Sequence, residues 1–180
     1  MKMMRTVSAA VIAWGLVAAA SSGVDLGVFG AYWDTKDADQ TYGAGAKLRL
    51  GIVEFRGTYF KDVTADVDPE EFDLEIRAIP LEAGIVLQFL KNAAVSPYVG
   101  GGAGYYLLET DAGEIDDEVG YYVVGGLDIG SGVVAFNVEG IYRNFEATVV
   151  DTGDDFPEIE DEVNFDLSGI GVQAGVIFRF

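Results

Sequence analysis

The stretch Ile170-Gly-Val-Gln-Ala-Gly-Val-Ile-Phe-Arg-Phe180 decides the fold. Every second residue is apolar: Ile170, Val172, Ala174, Val176, Phe178 and Phe180. Between them lie Gly171, Gln173, Gly175, Ile177 and Arg179, mostly small or polar. Successive side chains of an extended chain point to opposite faces, so this stretch reads as a strand with one apolar face.

Working outward, seven upstream segments show the same period of two. Val24–Trp33 sets Leu26, Val28, Gly30 and Tyr32 on one face. Thr41–Leu50 is the cleanest, with Tyr42, Ala44, Ala46, Leu48 and Leu50 opposed to Gly43, Gly45, Lys47 and Arg49. A third segment opposes Val53, Phe55, Gly57 and Tyr59 to Glu54, Arg56 and Thr58. A fourth, Phe72–Phe89, changes phase. Phe72, Leu74, Ile76 and Ala78 are one residue out of step with Ile79, Leu81, Ala83, Ile85, Leu87 and Phe89, and Pro80 sits beside the slip. A one-residue slip swaps faces unless a bulge absorbs it, so a bulge is expected near Pro80. Its first half reads as hairpin above the membrane and its second half as the spanning part. In Val95–Leu108, Val99, Ala103, Tyr105 and Leu107 face outward and Gly100, Gly102 and Gly104 inward. Val119–Gly130 turns Tyr121, Val123, Leu127 and Ile129 outward. Val133–Phe145 opposes Val134, Phe136, Val138 and Tyr142 to Asn137, Glu139 and Arg143.

Segments of about ten residues suit a tilted transmembrane strand. No stretch after residue 20 is apolar enough for a spanning helix, so a membrane-spanning chain here could only be a closed barrel, whose strands satisfy one another's backbone groups. The expected fold is all-β: an eight-stranded antiparallel transmembrane β-barrel, an up-and-down meander over residues 21–180. Residues 1–20 read as a signal peptide. Lys2 and Arg5 supply the basic start, Val7–Val17 the short apolar run, and Ala18-Ala19-Ala20 the cleavage site before Ser21. Removing the two basic residues takes the formal charge from −19 to −21. Such acidity argues against nucleic acid as a partner. The absence of cysteine rules out lipid acylation at the cleavage site and any disulfide.

Connections alternate in length. Long ones span Asp34–Gln40, Asp62–Glu71, Glu109–Glu118 and Glu146–Asn164, and short ones lie at Gly51, Lys91–Ala94 and Gly130–Gly132. Long external loops and short periplasmic turns are the rule in such barrels, which orients the chain. The long loops carry 22 of the 30 carboxylates, with Lys36 as their one base, so one rim is strongly acidic. Two aromatic girdles are expected: Tyr32, Tyr42, Tyr59, Tyr105, Tyr121 and Tyr142 on the loop side, and Phe55, Phe89 and Phe180 on the turn side.

Ile79-Pro80-Leu81, Ser96-Pro97-Tyr98-Val99-Gly100-Gly101-Gly102-Ala103-Gly104-Tyr105-Tyr106 and the strand Ile170–Phe180 resemble the small outer-membrane β-barrel domain family, the OmpA-like and OmpW-like eight-stranded barrels. The resemblance covers essentially all of the chain after residue 20 and specifies fold rather than activity. It implies a bacterial outer-membrane location in the cell envelope, contact with outer-membrane lipid and lipopolysaccharide, and insertion by the assembly machinery through the aromatic Phe180. The peptidoglycan-binding domain of full-length OmpA-like proteins has no counterpart here. Barrel enzymes of this kind use a histidine, and the chain has none, so carboxylates alone would have to serve as general base. The reading is therefore non-enzymatic, with no catalytic, cofactor-binding or metal-binding residue assigned.

The inward charged set Lys47, Arg49, Glu54, Arg56, Glu82, Asp128, Glu139, Arg143 and Arg179 reads as a salt-bridged plug, because an eight-stranded barrel holds little beyond its side chains. The other reading is a narrow porin-like path for small or hydrophobic solutes, with Gly100, Gly102 and Gly104 leaving space. A third is a soluble periplasmic barrel that binds an apolar ligand, which requires the apolar faces to point inward. Asp151–Asp155 with Glu162 only loosely resembles a calcium loop, since Phe156 stands where glycine is needed. The acidic loops nevertheless offer carboxylates to divalent cations. The pairs Asp116/Asp117 and Asp154/Asp155 lack an apolar neighbour that would raise a pKa for acid–base work. Closure leaves no free sheet edge, so a monomer is expected.

Overall fold

The computed structural model describes residues 23–36, 40–65, 74–90, 93–110, 113–114, 118–149 and 163–180. Eight long strands form the wall: β1 (Val24–Thr35), β2 (Thr41–Leu50), β3 (Val53–Ala65), β4 (Leu74–Gln88), β5 (Val95–Thr110), β7 (Glu118–Ile129), β8 (Val134–Asn144) and β11 (Gly169–Arg179). Each pairs antiparallel with its neighbours in chain order. β1 pairs with β11 from Asp25↔Arg179 to Thr35↔Gly169, which closes the sheet into a barrel. Three short strands extend the loop side. β6 (Gly113–Glu114) folds back on β5, while β9 (Glu146–Val149) and β10 (Val163–Asp166) pair with each other. No described helix is long and apolar enough to cross a membrane.

Alternation carries the wall, as period two requires. In β11, Ile170, Val172, Ala174 and Phe178 are exposed, while Gly171, Gln173 and Ile177 are buried. The outward rows of the other strands hold the residues expected there, Val28, Phe55, Ile85, Val99, Val123 and Val138 among them. The soluble-barrel reading is overturned on this point, because the apolar rows point out and the charged rows point in. A wall of this polarity needs an apolar surrounding. The girdles form as expected: Tyr42, Tyr59, Tyr105 and Tyr121 are exposed at the loop side, and Tyr32 and Tyr42 meet in register with ring centroids 5.3 Å apart. Phe55, Phe89 and Phe180 are exposed toward the turn side.

Two expectations fail. No bulge lies at Pro80. β4 pairs with β5 without a break from Ile76↔Thr110 to Gln88↔Tyr98, and Ala78, Pro80 and Glu82 all face inward. The irregularity lies on β3, where Lys61 and Asp62 stand opposite the single residue Arg77, between the pairs Phe60↔Ala78 and Val63↔Ile76. The apolar Ala78 is out of phase because the lumen at that height is apolar. The strands also run further into the long connections than the alternation indicated, and β9 and the first half of β10 lie within the span read as the loop Glu146–Asn164. Residues 1–22, the Asp151–Asp155 loop with Glu162, and the pairs Asp116/Asp117 and Asp154/Asp155 lie outside the described residues.

Candidate functional site: the lumen

The structure brings the inward charged set together. Inward positions recur on every strand, so barrel closure alone decides which charges meet. Glu139 accepts from Lys47 Nζ at 2.7 Å and from Arg56 Nη1 at 2.8 Å, and it accepts the Tyr98 hydroxyl. Glu54 accepts from Arg49 at 2.9 Å and pairs with Arg56. Toward the turns, Asp128 accepts from Arg49 at 3.1 Å, from Gln88 at 2.9 Å and from Asn137 at 2.8 Å, with Arg179 at 3.4 Å. Toward the loops, Glu82 takes the Arg143 guanidinium at 2.8 Å and 3.2 Å, and Arg56 at 3.9 Å. Asp25 lies 3.9 Å from Arg49. Among the described residues these ion pairs join five cations to five carboxylates, so the network is formally neutral. Both of the deepest carboxylates, Glu54 and Asp128, are fully buried. Burying a charge costs several kcal/mol unless partners compensate it, and here each carboxylate has at least one.

Sequence reasoning missed the neutral partners. Tyr98, Asn137, Gln173, Gln88 and Tyr106 all bind the network. Their signal was available, since each occupies an inward position of its strand. The interleaved tyrosines also stack. The Arg49 guanidinium carbon sits 4.8 Å from the Tyr98 ring centre, and that of Arg56 sits 5.3 Å from Tyr122.

The loop-side lumen is filled differently. Trp33, Phe60, Ala78, Tyr106, Leu108, Phe145 and Leu167 form a buried apolar layer. Tyr106 and Phe145 stack at 3.8 Å with a 10° interplanar angle. Arg143 joins the two layers, binding Glu82 on one side and facing Trp33 at 5.5 Å and Phe60 at 5.6 Å. Leu167 enters this layer from a strap. The Lys36 amide donates to the Ser168 carbonyl, Lys36 Nζ reaches Asp166 at 2.6 Å, and the Ser168 amide donates to Asp166 Oδ1 at 2.9 Å. The Lys36 ammonium and the Ser168 donors hold the Asp166 carboxyl down at about 2.

The inward glycines do not leave space, contrary to expectation. A Cβ on Gly104 would stand 2.8 Å from the Tyr106 ring, and one on Gly102 would meet the Ala83 carbonyl at 2.1 Å. At Gly100 it would meet the Ile85 carbonyl at 2.7 Å. Gly126 similarly accommodates Tyr98, and Gly84 the Tyr122 hydroxyl. Gly104, Gly126 and Gly84 make room for tyrosine side chains, while Gly100 and Gly102 admit the carbonyls of the neighbouring strand. A groove of about 450 Å³ does exist, but on the outer wall, between Leu26, Ala46, Leu48, Phe55, Gly57 and Leu81. Among the described residues no cluster of three or more His, Cys, Asp or Glu could hold a metal.

No family model matches the chain, and no curated protein matches it. Solved structures do. The outer membrane protein OprG from Pseudomonas aeruginosa is similar at a TM-score of 0.74 and 13% identity, over 89% of this chain and 96% of that one. Neisserial surface protein A is similar at 0.54 and 16%, over 88% and 96%. The outer membrane protein AlkL, solved in lipid bilayers, is similar at 0.52 and 15%, over 88% and 90%. The chain has the fold of the small eight-stranded outer-membrane barrels.

Proposed function

We propose, from the premise of an outer-membrane barrel fold, that the protein is a non-enzymatic, monomeric resident of the bacterial outer membrane. In this reading residues 1–20 direct export, Phe180 serves recognition by the assembly machinery, and the acidic loops face the outside, where solvent, divalent cations and lipopolysaccharide meet them. The barrel anchors and displays those loops. One observation carries the reading: charges that neutralise one another fill the lumen while the apolar rows face out, which suits a stopper inside a membrane anchor. Cell fractionation with a boiled-versus-unboiled gel shift tests it. A membrane-retained protein whose mobility changes on heating is expected, and a urea-extractable protein without heat-modifiable mobility would refute it.

A second reading, a narrow path for small solutes, draws on another observation. Trp33 Nε1, Thr58 Oγ1, Arg143 Nη1 and Gln173 Nε2 are buried in the lumen without a hydrogen-bond partner. Buried polar atoms of this kind call for water. A file of water beside the network would be the start of such a path, and conductance in planar bilayers separates the two readings.

A further inference from the structure

Among the described residues, the turn-side rim exposes large apolar side chains. Ile52 is 56% exposed, Leu90 71% and Val133 64%, one in each short turn, and Phe89 and Val95 are exposed beside them. The turns at 51–52, 89–94 and 130–133 contain no carboxylate, and Lys91 is their one charge. The nearby carboxylates Asp25, Glu54 and Asp128 are paired within the lumen instead. Leu90 adopts φ 54°, a left-handed conformation that glycine takes more easily, yet the position carries a large exposed apolar side chain. Its carbonyl is pinned by the Ala93 amide at 3.0 Å and the Ser96 hydroxyl at 3.0 Å, which holds the turn in that shape.

The height of the wall gives an independent reason. From the tyrosine girdle to the strand ends, Tyr32 to Val24, Tyr42 to Leu50, Tyr121 to Ile129 and Tyr142 to Val134 each take eight residue steps. At roughly 3.3 Å per residue and a tilt of roughly 40°, that is about 20 Å along the barrel axis, short of an apolar band about 25 Å tall. On β5 the same count is ten steps, Tyr105 to Val95, but these four strands fall short of the hydrocarbon. The turns supply the missing height.

We infer that the turn-side rim is a lipid-binding surface: Ile52, Leu90 and Val133 sit in the acyl–headgroup boundary of the phospholipid leaflet on that side, not in the aqueous compartment below it. The inference rests on the membrane-spanning reading and adds the depth at which the barrel sits. The rim is continuous with the lipid-facing wall through Val53, Phe89 and Val95, which commits its occupant to lipid.

Because the chain has no cysteine, single nitroxide labels at Leu90→Cys and Val133→Cys report their surroundings directly. The folded, heat-modifiable fraction of each variant is reconstituted in phosphatidylcholine vesicles. Collisions of the label with oxygen and with a water-soluble nickel chelate are then compared, with Val138→Cys in the middle of the wall and Gln40→Cys at the loop rim as references. An oxygen-to-nickel ratio at Leu90 and Val133 several-fold above that at Gln40, and near that at Val138, is expected. Ratios at Leu90 and Val133 equal to that at Gln40, with Val138 still shielded from nickel, would overturn the inference alone. Nickel access at Val138 as well would overturn the membrane-spanning reading and the inference with it. Ile52→Cys supplies the third turn if either label disturbs folding.

Discussion

The two halves of the lumen share one alternation and are filled in opposite ways. On the turn side, Glu139, Glu54 and Asp128 are held by Lys47, Arg49, Arg56 and Arg179. On the loop side, Trp33, Phe60, Tyr106, Phe145 and Leu167 form an apolar layer, with Arg143 at its boundary with the charged half. The difference teaches where fragility lies. A charged filling fails when one partner is lost, since its counterpart stays buried and uncompensated. An aromatic filling fails when its shape is disturbed, since rings lie against glycines with no room for a methyl group.

The largest expected effect tests the charged half. Glu139→Ala takes the carboxylate partner from the buried Lys47 ammonium and leaves Arg56 with Glu54, and should cost about 3–5 kcal/mol, read by urea unfolding of the barrel in lipid vesicles. A loss below that of Gly104→Ala would break the comparison. The outer wall comes next. Val138→Lys places a charge at mid-height of the lipid face and should cost about 2–4 kcal/mol in a bilayer, whereas a wall facing water would tolerate it.

The aromatic half follows. Gly104→Ala drives a methyl group into the Tyr106 ring and should cost about 1–3 kcal/mol. Gly140→Ala, whose Cβ meets nothing within 4 Å, should be close to neutral in the same assay. The smallest effect concerns the strap that carries Leu167. The Asp166 carboxyl is held low by Lys36 and Ser168, so its contribution is present above the unfolded value of about 4 and is lost as pH falls toward about 2. Protease susceptibility of the strap should rise across that window, and Asp166→Asn should remove the pH dependence. Being exposed, the pair adds little.

Much of the wall was legible because alternation is local: the outward rows and both girdles follow from period two. What depends on closure was not. Lys47 meets Glu139 across 92 positions of sequence, and only the register of β1 on β11 brings their strands to one side of the lumen. The apolar phase of Ala78 looked like a slip because the sequence does not reveal that the lumen changes from polar to apolar with height. The glycines of β5 looked like open space because the groups that abut them come from other positions, the Ala83 and Ile85 carbonyls of β4 and the Tyr106 ring two residues further along β5.

The central claim is that side chains fill and close this barrel. Single-channel recording of the refolded protein in planar bilayers tests it most directly. The wild type should give no reproducible conductance steps, and the double truncation Glu139→Ala with Arg56→Ala should introduce them by emptying the middle of the network. Reproducible steps in the wild type would contradict the account.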